Sequence, residues 1–272
     1  MARDSEYYKN KQKKQTLKLR SLLDQLPDFC VDFIYSKELT TQTSTLISYS
    51  YDLLTFLRFL REKNPQLKDI DPKSMKLEIL KQIQSEDILE YQRYLSLNVD
   101  GEYHENGKKA IARKMSALRG MYKYQLIHKH ISEDPTALVA MPRLKKDKNI
   151  VRMNNYEVQD ILNAITIGNQ QMSDRQRKYC LKTQQRDLAI LTILLNTGMR
   201  VSECRGLDLN DVNLIENSLV IVRKGGGQDI IYFGKPVHLT LSDYIEGERQ
   251  TISPLEGHQQ ALFYSLQGKR IS

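Results

Sequence analysis

The residues best placed to do chemistry lie in the string LLNTGMRVSECRGLDLNDVNL, residues 194 to 214. An apolar helical run ends there at Gly198, and the chain at once presents Arg200 on the following turn, with Glu203 close behind. A guanidinium is planar, bidentate and always charged, which suits the non-bridging oxygens of a phosphate. The plainer alternative for an isolated arginine is that it caps the helix C-terminus or pairs with Glu203 at the surface. A second cation, Lys224, stands 24 residues past Arg200 in the phrase VRKGGGQD. A lysine held near a phosphate can pass its proton to a developing alkoxide, provided its pKa suits the transfer. Here too there is a plainer alternative, since a basic pair before a glycine turn is common on solvated hairpins.

These residues need elements to hold them. The run RDLAILTILLNTG is apolar on every side, which predicts a helix buried all round and closed by Gly198. SLVIVRK, GGG and QDIIYF in succession predict a β-hairpin, because glycine supplies the positive φ that its turn requires. Lys224 sits at the lip of this hairpin, and Arg223 is expected on the opposite face of the strand. A helix is predicted over residues 156 to 164, then a polar loop to about residue 182. Beyond the hairpin a helix runs from Pro236 to about Arg249, and ALFYS reads as a short strand or extended piece. The second half is therefore mixed α and β.

The first half reads as helices joined by short polar turns. A basic helix over residues 3 to 24 precedes a short one after Pro27, with Phe29, Val31, Phe33 and Ile34 as apolar surface. In the third, Leu46, Tyr49, Leu53, Phe56, Leu57 and Leu60 recur at helical spacing and form one buried stripe. A fourth begins at the Ser-Glu-Asp cap signal of residues 85 to 87, and a loop over residues 98 to 107 follows it. The fifth sets Ile111, Met115, Leu118 and Tyr122 on one side, with Lys109, Arg113, Lys114 and Lys123 elsewhere around it. A helix with a core face and a basic remainder can lie against DNA. The segment PRLKKDKNIVR then carries Lys145 and Lys146, lacks apolar periodicity and has the character of a domain linker. The expected organisation is a basic helix in 1–27, a helical domain in 28–141, a linker in 142–152 and an α+β domain in 153–272.

Composition sets wider bounds. Forty per cent of the 272 residues are apolar and 27% charged, the profile of a folded globular chain. The net charge of +8 favours a polyanionic partner without saying which. Cys30, Cys180 and Cys204 are odd in number and widely spaced, with no CxxC pattern for metal or redox work, which predicts a reducing cytoplasm. No apolar run approaches the roughly 20 residues of a membrane span.

Together these strings identify a resemblance. Thr197, Gly198, Arg200, Ser202, Glu203, Gly206, Leu207, Asp211 and Val212 resemble the first arginine box of the tyrosine recombinase and phage integrase family. STLISYSYDLLTFLRFL, with Thr45, Tyr49, Asp52 and Leu53, is similar to the family's core-binding helix. IARKMSALRGMYKYQLIHKHISEDPTALVAMPRLKK, with Arg113, Ser116, Ala117, Leu118, Tyr122, Asp134 and Pro135, looks like its last core-binding helix and linker. The likeness covers residues 28 to 272 and is strongest toward Xer-type recombinases and mobile-element integrases.

The resemblance implies an all-α, SAM-like core-binding domain and a mixed α+β catalytic domain, closing together as a clamp on duplex DNA. It implies site-specific strand exchange through a 3′-phosphotyrosyl intermediate, without metal or cofactor, by a homotetramer on its DNA site. Arg200 would clamp the scissile phosphate, Glu203 would support it, and Lys224 would protonate the leaving 5′-oxygen. Lys109, Arg113, Lys114, Lys123, Lys145 and Lys146 would contact DNA. The family completes its site with an H-x-x-R box, a further His or Trp and a nucleophilic tyrosine. None of His104, His128, His130, His238 and His258 has an arginine three residues on. Tyr232, Tyr244 and Tyr264 come too early for the nucleophile. The expectation is a catalytic domain incomplete at its C-terminus, in a chain that binds DNA without cleaving it alone. The alternative is a non-catalytic remnant or regulator that occupies recombination sites.

Overall fold

The computed structural model describes residues 6–97, 107–143, 152–167 and 172–271. Its contacts divide the chain into two units, residues 11–148 and residues 1–10 with 149–272.

The first unit is helical. Its elements are α1 (Glu6–Leu23, of which residues 6–10 count with the second unit), α2 (Asp28–Ser36), α3 (Thr43–Lys63), α4 (Glu78–Gln82), α5 (Ser85–Leu97) and α6 (Lys108–Ile127). The apolar stripe of α3 is the centre of the core: Leu46, Leu53, Phe56, Leu57 and Leu60 are buried, while Tyr49 is only partly covered. Against it α5 places Tyr91, whose ring centroid lies 5.0 Å from that of Phe56 and 5.1 Å from that of Phe59. Such aromatic contacts favour a single packing over a merely greasy one. Ile111, Met115, Leu118 and Tyr122 of α6 complete the core. Gly120 lets α2 approach α6, because a Cβ there would stand 3.0 Å from Cζ of Phe33. The short α4 was not foreseen; five residues carry too little periodicity to be read. The expected loop at 98–107 lies outside the described residues except for Gly107, and so does most of the expected linker.

The second unit contains α7 (Asn155–Ile167), α8 (Asp174–Leu181), α9 (Gln184–Thr197), α10 (Val201–Arg205) and α11 (Lys235–Glu246). Strands β1 (Val212–Asn213), β2 (Ser218–Val222) and β3 (Gln228–Tyr232) form one antiparallel sheet in that order. Its core joins Ala189 and Ile193 of α9 to Leu219 and Ile221 of β2, Val237 and Leu241 of α11, and Leu262 and Phe263.

Three expectations are corrected here and a fourth is narrowed. The polar stretch before residue 182 is not all loop, because Ser173 and Gln176 make a reciprocal cap that starts α8: Ser173 N donates to Gln176 Oε1 at 2.9 Å and Gln176 N to Ser173 Oγ at 3.4 Å. Helix α9 is not buried all round, for α7 and α11 pack on only part of it and Leu195 stays 41% exposed. Helix α11 ends at Glu246 rather than near Arg249, since Gly247 turns to φ −100°, ψ −102° and a 3-10 turn over Glu248–Thr251 follows. The ALFYS segment, expected as a short strand or extended piece, is the latter, making isolated bridges, Asp208 with Ala261 and Tyr264 with Arg270.

Candidate active site

Helix α9 stops where the backbone of Gly198 enters the left-handed region at φ 62°, a conformation that suits glycine at a helix end. Its amide still donates to Leu194 O at 3.1 Å. Two residues later Arg200 is extended (φ −74°, ψ 148°) and caps α10. Arginine has no acceptor, so only one half of a reciprocal cap is possible, and Glu203 makes it: its Oε2 accepts the Arg200 backbone N–H at 2.8 Å. The other oxygen, Oε1, accepts Arg200 Nη1, also at 2.8 Å. The Glu203 side chain is 3% exposed and that of Arg200 64%. A buried carboxylate thus holds an open guanidinium. Burial alone would push the Glu203 carboxyl up; the hydrogen bonds from Arg200 and the charges of Arg223 and Arg200 outweigh it and hold the carboxyl below its usual range.

The hairpin expected from the sequence is formed by β2 and β3, with Ser218 opposite Tyr232 and Val222 opposite Gln228. Residues 223–227 make its turn. Gly225 and Gly226 take φ values of 117° and 89°, which explains the glycine run. Arg223 N donates to Gly227 O at 2.8 Å and Gly226 N to Arg223 O at 3.0 Å. Lys224 stands exposed in this turn, with no hydrogen-bond or ion-pair partner among the described residues.

Arg223 reaches back instead. Its Nη1 donates to Glu203 Oε2 at 3.2 Å, and its Nη2 and Nε donate to Asp229 Oδ2 at 3.0 and 3.1 Å. On the sequence alone Lys224 is the functional member of the pair, and Arg223 is expected on the opposite face of the strand. Of the basic pair, it is Arg223 that is tied to the arginine box. Strand alternation could not show this, because the ladder ends at Val222 and Arg223 already belongs to the turn.

Behind the box, Arg270 forms a buried ion pair with Asp208 and donates to Leu207 O at 2.6 Å and Arg205 O at 3.1 Å. Arg249 Nη2 donates to Ala261 O and to Tyr264 Oη, both at 3.0 Å. The Tyr264 hydroxyl in turn donates to Gln259 O at 2.6 Å, and that of Tyr244 accepts Tyr264 N–H at 3.1 Å. Burial pushes the Tyr244 phenol up to about 12. Neither of these two hydroxyls is free, whereas Tyr232 is exposed. Sequence reasoning missed Arg249 and Arg270, whose partners lie 12 to 65 residues away and leave no local signal.

On the helical unit, Lys109 and Lys123 of α6 are exposed. Arg113 and Lys114 are committed differently. Both pair with Asp52 of α3, whose side chain is fully buried, and Lys114 Nζ lies 3.4 Å from Oδ1. Lys114 is only 12% exposed and serves as a counter-ion to the buried Asp52, whereas Arg113 stays 48% exposed beside its pair. Burial pushes the Asp52 carboxyl up, and Arg113 and Lys114 oppose that rise. Lys145 and Lys146 lie outside the described residues. Cys30, Cys180 and Cys204 are free thiols. Among the described residues no helix is long and apolar enough to cross a membrane, and no three metal-ligating side chains gather.

Comparison with known proteins gives this arrangement its setting. Residues 151–272 match the phage integrase family. The chain is 30% identical over 238 residues to the tyrosine recombinase XerC of Caldanaerobacter subterraneus, covering 84% of this chain and 60% of that protein. It is 26% identical over 253 residues to XerC of Chlorobaculum tepidum, covering 88% and 70%. The chain thus spans about 60 to 70% of the length of these relatives. Among solved structures, the Tn1549 transposon integrase in complex with circular intermediate DNA superposes with a TM-score of 0.58 at 18% identity, covering 90% of this chain and 74% of that one. That likeness is one of fold, a helical domain with a mixed catalytic one. The TGMRVSE turn built around a buried glutamate thus lies in the stretch, residues 151–272, that matches the phage integrase family, and the chain is similar to tyrosine recombinases over most of its length.

Proposed function

We propose that this chain binds duplex DNA at a specific recombination site and supplies part of the phosphoryl-transfer centre of a site-specific tyrosine recombinase. The observation that carries this reading is the Arg200 and Glu203 pair. A cation is fixed in direction by a buried carboxylate, yet its guanidinium remains 64% exposed, free to meet a ligand. Preorganised charge of this kind stabilises the developing negative charge on the equatorial oxygens of a phosphate without reorganising during the reaction. In the reaction that this similarity implies, a tyrosine hydroxyl attacks the phosphorus and forms a 3′-phosphotyrosyl bond. The 5′-oxygen leaves with a proton, for which the exposed Lys224 is the candidate donor.

On the DNA-gripping side, Lys109, Arg113 and Lys123 fall within an arc of about 80° on α6, taking roughly 100° per residue. They are the candidate phosphate contacts there, and Lys114 is not. Assembly as a homotetramer on DNA and a cytoplasmic location belong to the same reading. The held hydroxyls of Tyr244 and Tyr264 favour a tyrosine other than these two as the attacking group.

The test has two parts. The 272-residue chain should bind duplex DNA with an affinity that falls steeply as salt rises, since phosphate contacts release counter-ions. A longer product of the same reading frame should become covalently attached to a nicked suicide substrate. Binding that ignores salt would remove the nucleic-acid reading. Salt-sensitive binding by a product that carries the nucleophile yet never attaches would leave a regulator that only occupies the site.

A further inference from the structure

The arginine box and the hairpin lip are joined through one side chain that the proposed function does not use. Arg223 is the first residue beyond the β2 ladder. Its guanidinium spans two carboxylates, Glu203 of the box at 3.2 Å and Asp229 of β3 at 3.0 Å. Glu203 is the same residue that fixes Arg200, so its two oxygens serve both cations: Oε1 takes Arg200 Nη1 and Oε2 takes Arg200 N and Arg223 Nη1. Lys224 follows directly in the chain. Its backbone is framed by the two turn hydrogen bonds that Arg223 makes with Gly227 and Gly226.

A turn with two glycines at positive φ is intrinsically loose, because glycine has the largest set of alternative conformations. Among the described residues Lys224 makes no hydrogen bond or ion pair of its own that would hold the turn. The fork of Arg223 supplies what the glycines lack, and guanidinium is suited to it because one planar group can serve two carboxylates in fixed directions. The ties are graded in burial. The Glu203 end is buried, whereas Asp229 is 52% exposed and Arg223 itself 38%. The linkage is therefore firm at the box and yielding at the hairpin, a joint rather than a weld.

We propose that Arg223 is a positioning residue which, by bridging Glu203 and Asp229, fixes the turn carrying Lys224 to the arginine box, so that proton donor and phosphate clamp act on one phosphate together. The proposal rests on the reading of Arg200 and Lys224 given above. It predicts that the hairpin lip senses the box through Glu203. Losing either end of the bridge should free the lip while leaving the rest of the unit in place.

The test uses the 272-residue chain and does not need catalysis. Amide hydrogen exchange is followed by mass spectrometry over residues 223–227, with α9 and α11 as internal reference. In R223M the turn amides should exchange about tenfold faster, as loss of two partly exposed charge pairs implies. E203Q should give the same change, and the double variant should add little to it. Unchanged turn exchange in R223M, or additive effects of R223M and E203Q, would overturn the proposal. If R223M also loosens α9 and α11, D229N decides, because it removes only the exposed end of the bridge. Faster turn exchange with a quiet α9 then supports the proposal, and no change defeats it. Duplex DNA binding measured on the same samples separates the two levels. A chain that binds no DNA yet shows Arg223-dependent order in the turn loses the proposed function and keeps the coupling.

Discussion

Replacing Glu203 by glutamine perturbs the site at the point where its interactions meet. The carboxylate receives the Arg200 backbone N–H at 2.8 Å and one guanidinium from each of Arg200 and Arg223, at 2.8 and 3.2 Å. Glutamine can keep the backbone cap, since its carbonyl oxygen accepts as well. It loses both charge pairs and turns an amide NH2 toward a guanidinium. The partners are 64% and 38% exposed, so each pair is screened and is assigned about 0.5 to 1 kcal/mol. The total is about 1 to 2 kcal/mol, or roughly 3 to 6 °C in the melting of a unit of this size. Urea unfolding monitored by circular dichroism measures it. The pH dependence has a definite sign. Because the Glu203 carboxyl is held below its usual range, the unfolded chain takes up its proton first as pH falls. The stability it contributes is present above the unfolded value of about 4.3 and drains away below it, through the lowered folded value. The native chain and E203Q should therefore differ at pH 7 and converge in acid. Equal stability at pH 7, or a gap that widens in acid, would refute the picture of a charged glutamate serving two arginines.

Other expectations follow from the same packing. K114M should cost about 2 kcal/mol in denaturant titrations, because it strips one of two counter-ions from the buried Asp52. With the Asp52 carboxyl already pushed up, that deficit should be smallest in acid and should grow as pH rises through its raised value. By contrast K109A and K123A should stay within about 0.5 kcal/mol of the parent, and each should lower the salt slope of DNA binding by about one. R270M should destabilise the second unit by about 3 kcal/mol, since it removes the guanidinium that pairs with the buried Asp208. K224A should leave stability nearly unchanged and slow strand cleavage by a product carrying the nucleophile. A substrate with sulfur at the 5′-bridging position should recover much of that rate, because a thiolate leaves without a proton donor; equal slowing on both substrates would deny Lys224 the acid role.

Much of the fold was legible because it rests on local signals. The stripe on α3, the glycine that ends α9 and the β-rich runs around three glycines all announce their elements within a dozen residues. Helix α8 had a signal too, the Ser173 and Gln176 cap, but with no apolar stripe behind it the segment reads as loop. The rest was hidden by distance along the chain. Arg113 and Lys114 look like free cations on a basic helix until α3 brings up Asp52, 61 and 62 residues earlier. Nothing near Arg270 reveals Asp208, and nothing near Arg223 reveals Glu203. Arg200 was found because its motif is contiguous, whereas the side chains that support it are not.

The central claim is that Arg200 acts as a charge clamp on a DNA phosphate, and covalent capture tests it most directly. A longer product of this reading frame, with and without R200A, is offered a nicked suicide substrate, and binding and attachment are measured side by side. R200A should bind DNA nearly as well as the parent and form the phosphotyrosyl adduct slower by orders of magnitude, as loss of a transition-state contact requires. Binding and attachment reduced by the same factor would contradict it and make Arg200 a structural residue of the α10 turn.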